Sequence, residues 1–591
     1  MARGLGAKRK RDPLAPLTGP VLNVDTADEG YRQRIVAQFQ GASPYKHCVL
    51  KDVVSDARLR RVRDEIIHNI KATLKETDIY KVLQTGDLAN LDGLHPETLK
   101  ELHHLKELRD TLYSKEFRAF VESVTGCGEL IDKTDCSCNV YPQGGHLLCH
   151  DDVIGTRRVS YILYLSEPGE PWKEEYGGAL ELYDCVSSGS HKKLSIPEHK
   201  PCRKIMPQWN HMTMFAVLPG KSFHSIEEVV AEDKPRLSIS GWFHGKEPPP
   251  GHENASLSQI IDRKGCARNG GGGEASTSGF YLQEDAFAAL PKPMRHTYDS
   301  TEGRIAFPNV DTLVAFVNPQ YLAIDNVRQI ASKFVEESHV QLYNFLRKEY
   351  AESLLAALRA ADEADGMACA RIPDHERGVG VGWGVRGPTH KQRFLQYDPM
   401  TLSKAGVAQG AKESDGHLER AGEKLLALQK CIASQPFQQL LASFAKVVLT
   451  SSRSSIRRFR PGLDYSMAHG GVQTDTCQLD ATLCFVHERE DDSGKQFKLA
   501  EVGAYDCYMV NDENDSGPNN QSAEVYRETN DDEDDETVTL PASNNCLNLV
   551  LCNENVMRFT KYVSAQAAGS RWDILTEYHI DEEEEEEEEE E

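Results

Sequence analysis

Residues 141–165 of the chain read YPQGGHLLCHDDVIGTRRVSYILYL. Their short apolar or alternating runs are separated by Gly, Pro and Asp, which is typical of short β-strands joined by turns. His150 and Asp152 are two residues apart, so on a strand both side chains point to the same face. One imidazole and one carboxylate are two of the three ligands of the facial triad that binds non-haem Fe(II). Alone the motif is not specific, because His579 and Asp581 repeat its spacing beside a glutamate tail, where we interpret it as coincidence.

The β-rich texture continues beyond this stretch. The predicted strands are residues 159–165, 179–183, 213–218 and 236–243. Short strands with such turns predict a barrel or a jelly-roll sandwich. On the N-terminal side, a strand is predicted over 45–50 and helices over 55–81 and 96–124. The first helix is indicated by apolar residues that recur at three- and four-residue spacing from Leu59 to Ile70.

Two more residues complete a candidate site. A third metal ligand must come from a distant strand as a barrel closes, and His224 is well placed to supply it. Further along, period-two alternation puts four residues on one strand face: Arg236, Ser238, Ser240 and Trp242. A polar face with an arginine suits an interior that grips a carboxylate through two parallel hydrogen bonds. Taken singly, His224 also fits a core histidine, and Arg236 also fits a surface ion pair.

Helices followed by strands occur twice along the chain, which indicates two related domains. Three consecutive prolines at 248–250 and a Gly/Ser run at 269–279 mark the seam between them. The elements predicted beyond the seam are a strand at 313–317, helices through 324–359, a helix over 417–449 and short strands to residue 580. The glycine-rich run 378–384 is interpreted as a flexible loop, not a phosphate-binding loop.

Composition excludes several classes of protein. The 591 residues are 39% hydrophobic and 27% charged, and they contain no apolar run long enough for a transmembrane helix. Residues 1–12 are basic without an apolar stretch behind them, so we predict no secretory signal. The fifteen cysteines are therefore predicted to be reduced, and the Cys136 and Cys138 pair to be small buried residues. A Lys8–Arg11 cluster resembles a nuclear import signal, and we predict both nuclear and cytoplasmic localisation.

The net charge of −25 belongs to segments. Residues 581–591 carry eleven acids and residues 511–536 carry a net charge of −10, which leaves only −4 for the rest of the chain. Such acidic runs are usually solvated and disordered. The alternative is that they attract a basic partner.

The motifs together match a known family. The order of these motifs resembles that of the 2-oxoglutarate- and Fe(II)-dependent prolyl hydroxylases. The order is the Tyr-x-x-Gly-x-x-Leu-x-x-His-x-Asp pattern of residues 141–152, a tyrosine-bearing strand, the Gly177-Gly178 pair, a distal histidine and a basic residue. Arg236 departs from the collagen-type enzymes, which use lysine there. The sequence is most similar to the ribosomal prolyl hydroxylases, which have tandem double-stranded β-helix domains. The runs that carry this similarity are residues 146–152, 161–165, 236–245, Trp383 with 387–388 and Lys391, and 569–573.

The resemblance implies a fold, a site and a reaction. The expected fold is a β-rich α+β protein with two tandem double-stranded β-helix (jelly-roll) domains, each with flanking helices. His150, Asp152 and His224 would bind iron, and Arg236 with Tyr164 would hold the distal carboxylate of 2-oxoglutarate. Fe(II), 2-oxoglutarate, O2 and ascorbate are the implied cofactors, and succinate and CO2 are released. The implied substrate is a proline in the decoding-centre protein of the small ribosomal subunit, with one or two hydroxyls added.

The expected domain boundaries follow from the seam and the resemblance. They are a basic leader 1–24, a catalytic domain 25–250, a linker 251–304, a degenerate second domain 305–580 with an acidic loop 511–536, and an acidic tail 581–591.

The second domain is predicted to have lost its iron. Residues 141–152 compare with 460–471 at a constant offset of 319, and from residue 210 onward the offset is 335. The paired positions are His150 with His469, Asp152 with Gly471, His224 with Phe559, and Arg236 with Arg571. One histidine remains of three ligands, and a lone imidazole does not hold Fe(II) against water. About one iron per chain is expected.

Two other functions compete with the hydroxylase. One is a regulatory binding protein that senses oxygen or 2-oxoglutarate and whose second domain docks a partner; the retained ligands favour the enzyme. The other is a nucleic-acid demethylase with the same iron site. No basic face with interleaved aromatics is evident, so neither nucleic acid nor a membrane is an expected partner.

Overall fold

The computed structural model describes residues 17, 19–187, 195–252, 286–296, 298–367, 370–399, 413–468, 476–487, 502–510 and 537–581. The acidic loop 511–536, the tail beyond Asp581, and most of the leader and of the linker lie outside the described residues. The predictions about these segments stay predictions.

The described helices flank short antiparallel strands. The helices are α1 Glu29–Gly41, α2 Asp56–Asn69, α3 Pro96–Lys100, α4 His103–Leu112, α5 Lys115–Thr125, α6 Ile324–Glu337, α7 Lys348–Asp365, α8 Glu413–Ile432 and α9 Gln435–Ala445. The strands of the first half are β1 His47–Leu50, β2 Thr73–Glu76, β3 Tyr80–Gln84, β4 Cys136–Tyr141, β5 His146–His150, β6 Arg157–Tyr164, β7 Leu180–Leu182, β8 Cys185–Ser187, β9 Ser195–Pro197, β10 Arg203–Ile205, β11 Met212–Ala216, β12 His224–Ile226 and β13 Arg236–His244. Those of the second half are β14 Ala288–Met294, β15 Asp299–Thr301, β16 Arg304–Ala306, β17 His339–Tyr343, β18 Trp383–Arg386, β19 Gln392–Tyr397, β20 Val448–Phe459, β21 Tyr465–Ser466, β22 Gln478–Phe485, β23 Asp506–Val510, β24 Thr537–Leu540, β25 Cys546–Cys552, β26 Val556–Thr560 and β27 Arg571–Asp581.

The two halves share one strand order. The first sheet runs β1-β11-β6-β13-β4-β3-β5-β12-β7-β10, and the second begins β17-β25-β22-β27-β20. The last strand of each half therefore lies between matching neighbours, because β13 pairs with β6 and β4 while β27 pairs with β22 and β20. The second half also has a smaller sheet, β24-β23-β26, whereas β12 and β7 of the first half continue its single sheet. This repeated order confirms the predicted tandem double-stranded β-helix fold with flanking helices.

Local sequence explains the helices that support the first sheet. In α5, Phe117, Phe120, Val121 and Val124 recur at helical spacing and are buried. Ser114 caps the helix by accepting a hydrogen bond from the Phe117 amide, and the helix ends at Gly126, whose φ of 66° favours glycine. Each such buried side chain contributes about 1.5–3 kcal/mol by leaving water.

Several predicted elements are wrong in extent. The helix predicted over 55–81 ends at Asn69, and residues 73–84 form the β2–β3 hairpin, because β3 pairs with β4 and β5. Helical spacing stops at Ile70, so the remainder had no periodic support. The segment predicted as one helix over 96–124 is divided into α3, α4 and α5.

The second half shows the same limit of local patterns. Residues predicted as a strand at 313–317 lie largely in a 3-10 helix, Val310–Ala315. Strand β17 separates α6 from α7 within the range predicted to be helical, since it pairs with β25, some two hundred residues away in sequence. The helix predicted over 417–449 is divided into α8 and α9, and β20 begins at Val448.

The described cysteines are free thiols, as expected. Cys136 and Cys138 are buried in the core of the first half, and burial raises the pKa of the Cys136 thiol to about 12. They are small core residues, as predicted. Among the described residues, no helix is long and apolar enough to cross a membrane.

Candidate active site

The three residues predicted to bind iron meet at one end of the first sheet. His150 is the last residue of β5 and His224 the first residue of β12, and the two lie opposite each other in the antiparallel pairing. Asp152 lies beyond the strand with a φ of 61°. The expectation that His150 and Asp152 share a strand face is therefore wrong. A left-handed turn after the strand, and not pleat alternation, directs the Asp152 carboxylate back to the imidazoles.

The cluster has the dimensions of a metal site. Asp152 Oδ1 lies 3.1 Å from His150 Nε2, and its Oδ2 lies 3.4 Å from His224 Nε2. One ligand atom from each residue lies within 4.8 Å of the others. Two imidazole nitrogens and one carboxylate are the donor set of the facial triad, which leaves one side of the metal open to other ligands.

Backbone carbonyls select the tautomer of both imidazoles. His150 Nδ1 donates to Leu148 O at 2.8 Å, and His224 Nδ1 donates to Ser222 O at 2.8 Å. A carbonyl oxygen only accepts, so in the neutral ring the proton resides on Nδ1 and the Nε2 lone pair is available to a metal. This is the arrangement that orients histidine ligands in metalloproteins.

Asp152 also accepts hydrogen bonds from two side chains whose roles the sequence did not indicate. Ser160 Oγ and Trp242 Nε1 donate to Asp152 Oδ2 at 2.8 and 3.0 Å. Burial alone would raise the pKa of Asp152, but the adjacent imidazoles, His224 foremost, hold it well below its ordinary value. The carboxylate is thus ionised and fixed before any metal binds.

Arg236 provides an anion site beside the triad. Its guanidinium is fully buried between the rings of Tyr141 and Tyr164, and Nε donates to Gly178 O at 2.8 Å. Nη1 has only a long contact, 3.3 Å, with the Ser238 hydroxyl, and Nη2 has no hydrogen-bond partner among the described residues. A buried cation with an unused donor fits a carboxylate such as the distal group of 2-oxoglutarate.

Thr213 adds a hydroxyl to the same place. Its Oγ1 lies 3.4 Å from the Tyr164 hydroxyl, and its side chain is fully buried. Sequence reasoning missed Thr213 and Ser160. Period-two alternation along β6 places Ser160 on the same face as Tyr164, so this signal could have found Ser160.

The matching arginine of the second half is already neutralised. Arg571 begins β27 as Arg236 begins β13, but it contacts Asp506 at 2.6 Å and Asp573 at 2.9 Å. Asp573 stands where the first half has Ser238, at the offset of 335. Two carboxylates of the chain itself therefore neutralise Arg571, whereas the guanidinium of Arg236 keeps donors available for a bound carboxylate.

The iron ligands of the second half cannot all be compared. His469 and Gly471 lie outside the described residues. Phe559, at the position of His224, is fully buried on β26. Within the part of the second half that the structure describes, no group of three metal-ligating side chains converges.

The fold and the site define a class of enzyme. Residues 136–244 match the family described as the 2OG-Fe(II) oxygenase superfamily, and this range contains the triad and Arg236. The protein is a dioxygenase that uses Fe(II), 2-oxoglutarate and O2. Residues 308–587 match a family described as "Oxoglutarate and iron-dependent oxygenase degradation C-term".

Full-length relatives give the particular family. The chain is 36% identical over 541 residues to "Prolyl 3,4-dihydroxylase OGFOD1" of Ostreococcus tauri, covering 91% of this chain and 95% of the relative. It is 26% identical over 534 residues to "Prolyl 3-hydroxylase sudestada1" of Drosophila melanogaster, covering 88% and 80%. A solved prolyl-4-hydroxylase of Pseudomonas putida matches 36% of this chain and 99% of its own, at 16% identity and a TM-score of 0.25. The chain belongs to the OGFOD1 family of prolyl hydroxylases.

Proposed function

We propose that this prolyl hydroxylase modifies a proline in the decoding-centre protein of the small ribosomal subunit. The proposal is supported by the similarity of residues 146–152, 161–165 and 236–245 to the ribosomal prolyl hydroxylases, and by relatives named as prolyl hydroxylases. The chain's net charge of −25 is complementary to a basic ribosomal protein. The converging triad beside a buried, unpaired Arg236 nitrogen is the structural observation that carries the catalytic part of the proposal.

Each site residue then has a defined task. His150, Asp152 and His224 would hold the iron, the two histidines offering Nε2 and the aspartate a carboxylate oxygen. Bound iron with 2-oxoglutarate and O2 supplies oxidative decarboxylation, releasing succinate and CO2, coupled to insertion of oxygen into a C–H bond.

The surrounding residues prepare the pocket for these ligands. Arg236 holds the distal carboxylate of 2-oxoglutarate, with Tyr164 and Thr213 presenting hydroxyls to the same group. Both Nδ1 atoms keep their protons, which are hydrogen-bonded to backbone carbonyls. Binding of a metal at Nε2 therefore requires no rearrangement of the imidazoles. Ser160 and Trp242 keep the Asp152 carboxylate oriented.

Two further expectations accompany the activity. Ascorbate is proposed as the reductant that keeps the iron in the Fe(II) state. Localisation to both nucleus and cytoplasm is proposed from Lys8–Arg11. Microscopy of the tagged protein would test the second point, since replacing the four basic residues should shift the protein to the cytoplasm.

The substrate is tested by mass spectrometry. Purified enzyme with Fe(II), 2-oxoglutarate and ascorbate should add one or two oxygens to the ribosomal protein and form one succinate per oxygen added. The ribosomal protein from cells lacking this gene should lose the same modification, and re-expressed wild type but not His150→Ala should restore it. An unchanged mass in the deleted cells would rule out the substrate.

A further inference from the structure

The second half of the chain contacts the first directly behind the strands that carry the metal ligands. The apolar part of this contact is a buried cluster from both halves: Ile79, Leu148, Tyr465, Met467 and Tyr562. Leu148 is on β5, two residues before the His150 ligand. The ring of His146, also on β5, packs 4.1 Å from that of Tyr562. Tyr562 therefore contacts the side of β5 at its start, while the iron site lies at its end.

Glu228 is the main polar link across this contact. Its side chain is 1% exposed, and its carboxylate accepts hydrogen bonds from the Tyr562 hydroxyl, the Ser564 hydroxyl and the Ala565 amide at 3.2, 2.5 and 2.7 Å. Burial raises the pKa of Glu228, and these donors from the second half act against that rise. A buried carboxylate whose three donors come from another domain is expensive to leave unsatisfied.

The backbone of Glu228 is connected to His224 along the chain and to Arg236 through hydrogen bonds of Gly178. It follows β12, the strand that begins with the ligand His224, by two residues. Its carbonyl accepts from the Gly178 amide at 3.2 Å, and the Gly178 carbonyl accepts from Arg236 Nε at 2.8 Å. The approach is close, since a Cβ on the neighbouring Gly177 would lie 2.0 Å from the Glu228 carbonyl oxygen. A displacement of Glu228 would therefore shift both the proposed iron ligand His224 and Arg236, the proposed anchor of 2-oxoglutarate.

Lys561 makes a second link at the hairpin that borders β5. Its ammonium donates to the Thr77 carbonyl and lies 3.5 Å from the Glu76 carboxylate, and its side chain is buried. Glu76 ends β2 and Thr77 begins the turn to β3, which pairs with β5 through Tyr80 and Lys81. Residues 561–565 thus contact both the hairpin that borders β5 and the segment that follows β12.

We propose that residues 561–565 of the second half are positioning residues for the iron site, acting chiefly through the carboxylate of Glu228. The inference rests on the proposed roles of His150, His224 and Arg236. It assigns to the degenerate half a task in this active site: to fix the spacing of β5, β12 and the Arg236 anchor before metal and 2-oxoglutarate bind. A site whose ligands are prearranged binds its metal more tightly than one whose strands are free to separate.

The test measures binding of Mn²⁺, an oxygen-stable substitute for Fe(II), by the electron paramagnetic resonance of the free ion. In the full chain, Glu228→Gln and Ser564→Ala are each expected to weaken Mn²⁺ binding by about tenfold, the lower range for residues that support metal ligands. The KM for 2-oxoglutarate should rise in parallel. At saturating Fe(II) and 2-oxoglutarate, kcat should return to within about twofold of wild type, because the chemistry itself is untouched. The double variant should bind Mn²⁺ no more weakly than Glu228→Gln alone, since Ser564 is proposed to act through the Glu228 carboxylate.

Glu376→Gln is the matched control. Glu376 also crosses between the halves, contacting His199 at 3.1 Å and Lys200 at 2.6 Å, and both of these partners lie outside β5 and β12. The Mn²⁺ affinity of this variant should equal that of wild type.

Folded variants of Glu228 and Ser564 with wild-type Mn²⁺ affinity and KM would overturn the positioning role. If Glu228→Gln fails to fold, Tyr562→Phe, which loses one hydroxyl and keeps the ring, gives the same decision. Failure of the iron site itself is distinguishable, because wild type would then bind Mn²⁺ no better than His150→Ala does.

Discussion

Arg236 offers the most direct test of cosubstrate binding. We consider Arg236→Met, which keeps an unbranched apolar stem and removes the guanidinium. Among the residues that the structure describes, Nη2 of this buried group has no hydrogen-bond partner, and Nη1 makes one long contact. These two donors are therefore available for a carboxylate, while Nε stays with Gly178 O.

The magnitude follows from the burial of the pair. Truncating one partner of a fully desolvated, hydrogen-bonded charge pair costs 2–5 kcal/mol, and we take about 3 kcal/mol for Arg236. That corresponds to a rise of about a hundredfold in the KM for 2-oxoglutarate. Arg236→Lys keeps the charge but loses the planar fork, so a smaller rise, about tenfold, is expected.

The assay compares two cosubstrates in a double-mutant design. 2-Oxopentanoate has the carbon chain of 2-oxoglutarate without the distal carboxylate. Wild type should prefer 2-oxoglutarate by about a hundredfold in kcat/KM for succinate or butyrate formation, and Arg236→Met should discriminate little between the two. If Arg236→Met retains the wild-type preference, another residue holds the distal carboxylate and the assignment is wrong.

Three other predictions test the site and the contact between the halves. His150→Ala should abolish both iron binding and turnover because a triad ligand is lost, whereas His579→Ala, in the second His-x-Asp motif, should leave iron content by metal analysis at about one per chain. Trp242→Phe removes the indole donor to Asp152 and should weaken Mn²⁺ binding by about tenfold; equal affinity would show that the Ser160 hydroxyl alone orients the carboxylate. Burial and the nearby Lys561 lower the pKa of His146 to about 3. Below about pH 6.5 the unfolded chain therefore binds a proton at this histidine that the folded chain does not bind. The free energy of unfolding should fall by about 1.4 kcal/mol for each pH unit below about 6.5. Urea unfolding at about pH 7.5 and about pH 5.5 should show a smaller loss for His146→Phe than for wild type; identical losses would contradict this origin.

The charge of the second barrel illustrates how one fold diverged within a single chain. Arg236 and Arg571 begin equivalent strands, yet Asp506 and Asp573 satisfy only the second. Because Asp506 and Asp573 are part of the chain, their carboxylates bind Arg571 permanently. They take the place that a cosubstrate carboxylate would have at Arg236. The degenerate second domain stays a prediction, and the iron content of the purified chain is its test.

Residue patterns alone predicted two related domains, because helix-then-strand order repeats along the chain, and a candidate iron site, because His150 and Asp152 are donor types that Fe(II) needs. Taken singly, His224 and Arg236 also fitted ordinary structural roles. Their assignment, the class of the enzyme and the tandem double-stranded β-helix fold came from the resemblance of the whole motif order to the prolyl hydroxylases.

The way in which those residues are held depends on contacts between distant parts of the chain. Asp152 reaches the imidazoles through a left-handed turn after the strand, and Ser160 and Trp242 fix it from two different strands. The hairpin at 73–84 and the contacts of Glu228 with residues 562–565 depend on pairing between segments that are far apart in sequence. Local periodicity reports which face of an element is apolar, but it carries no information on which distant element will cover that face. That choice is made by the register of the sheets and the packing of one half against the other.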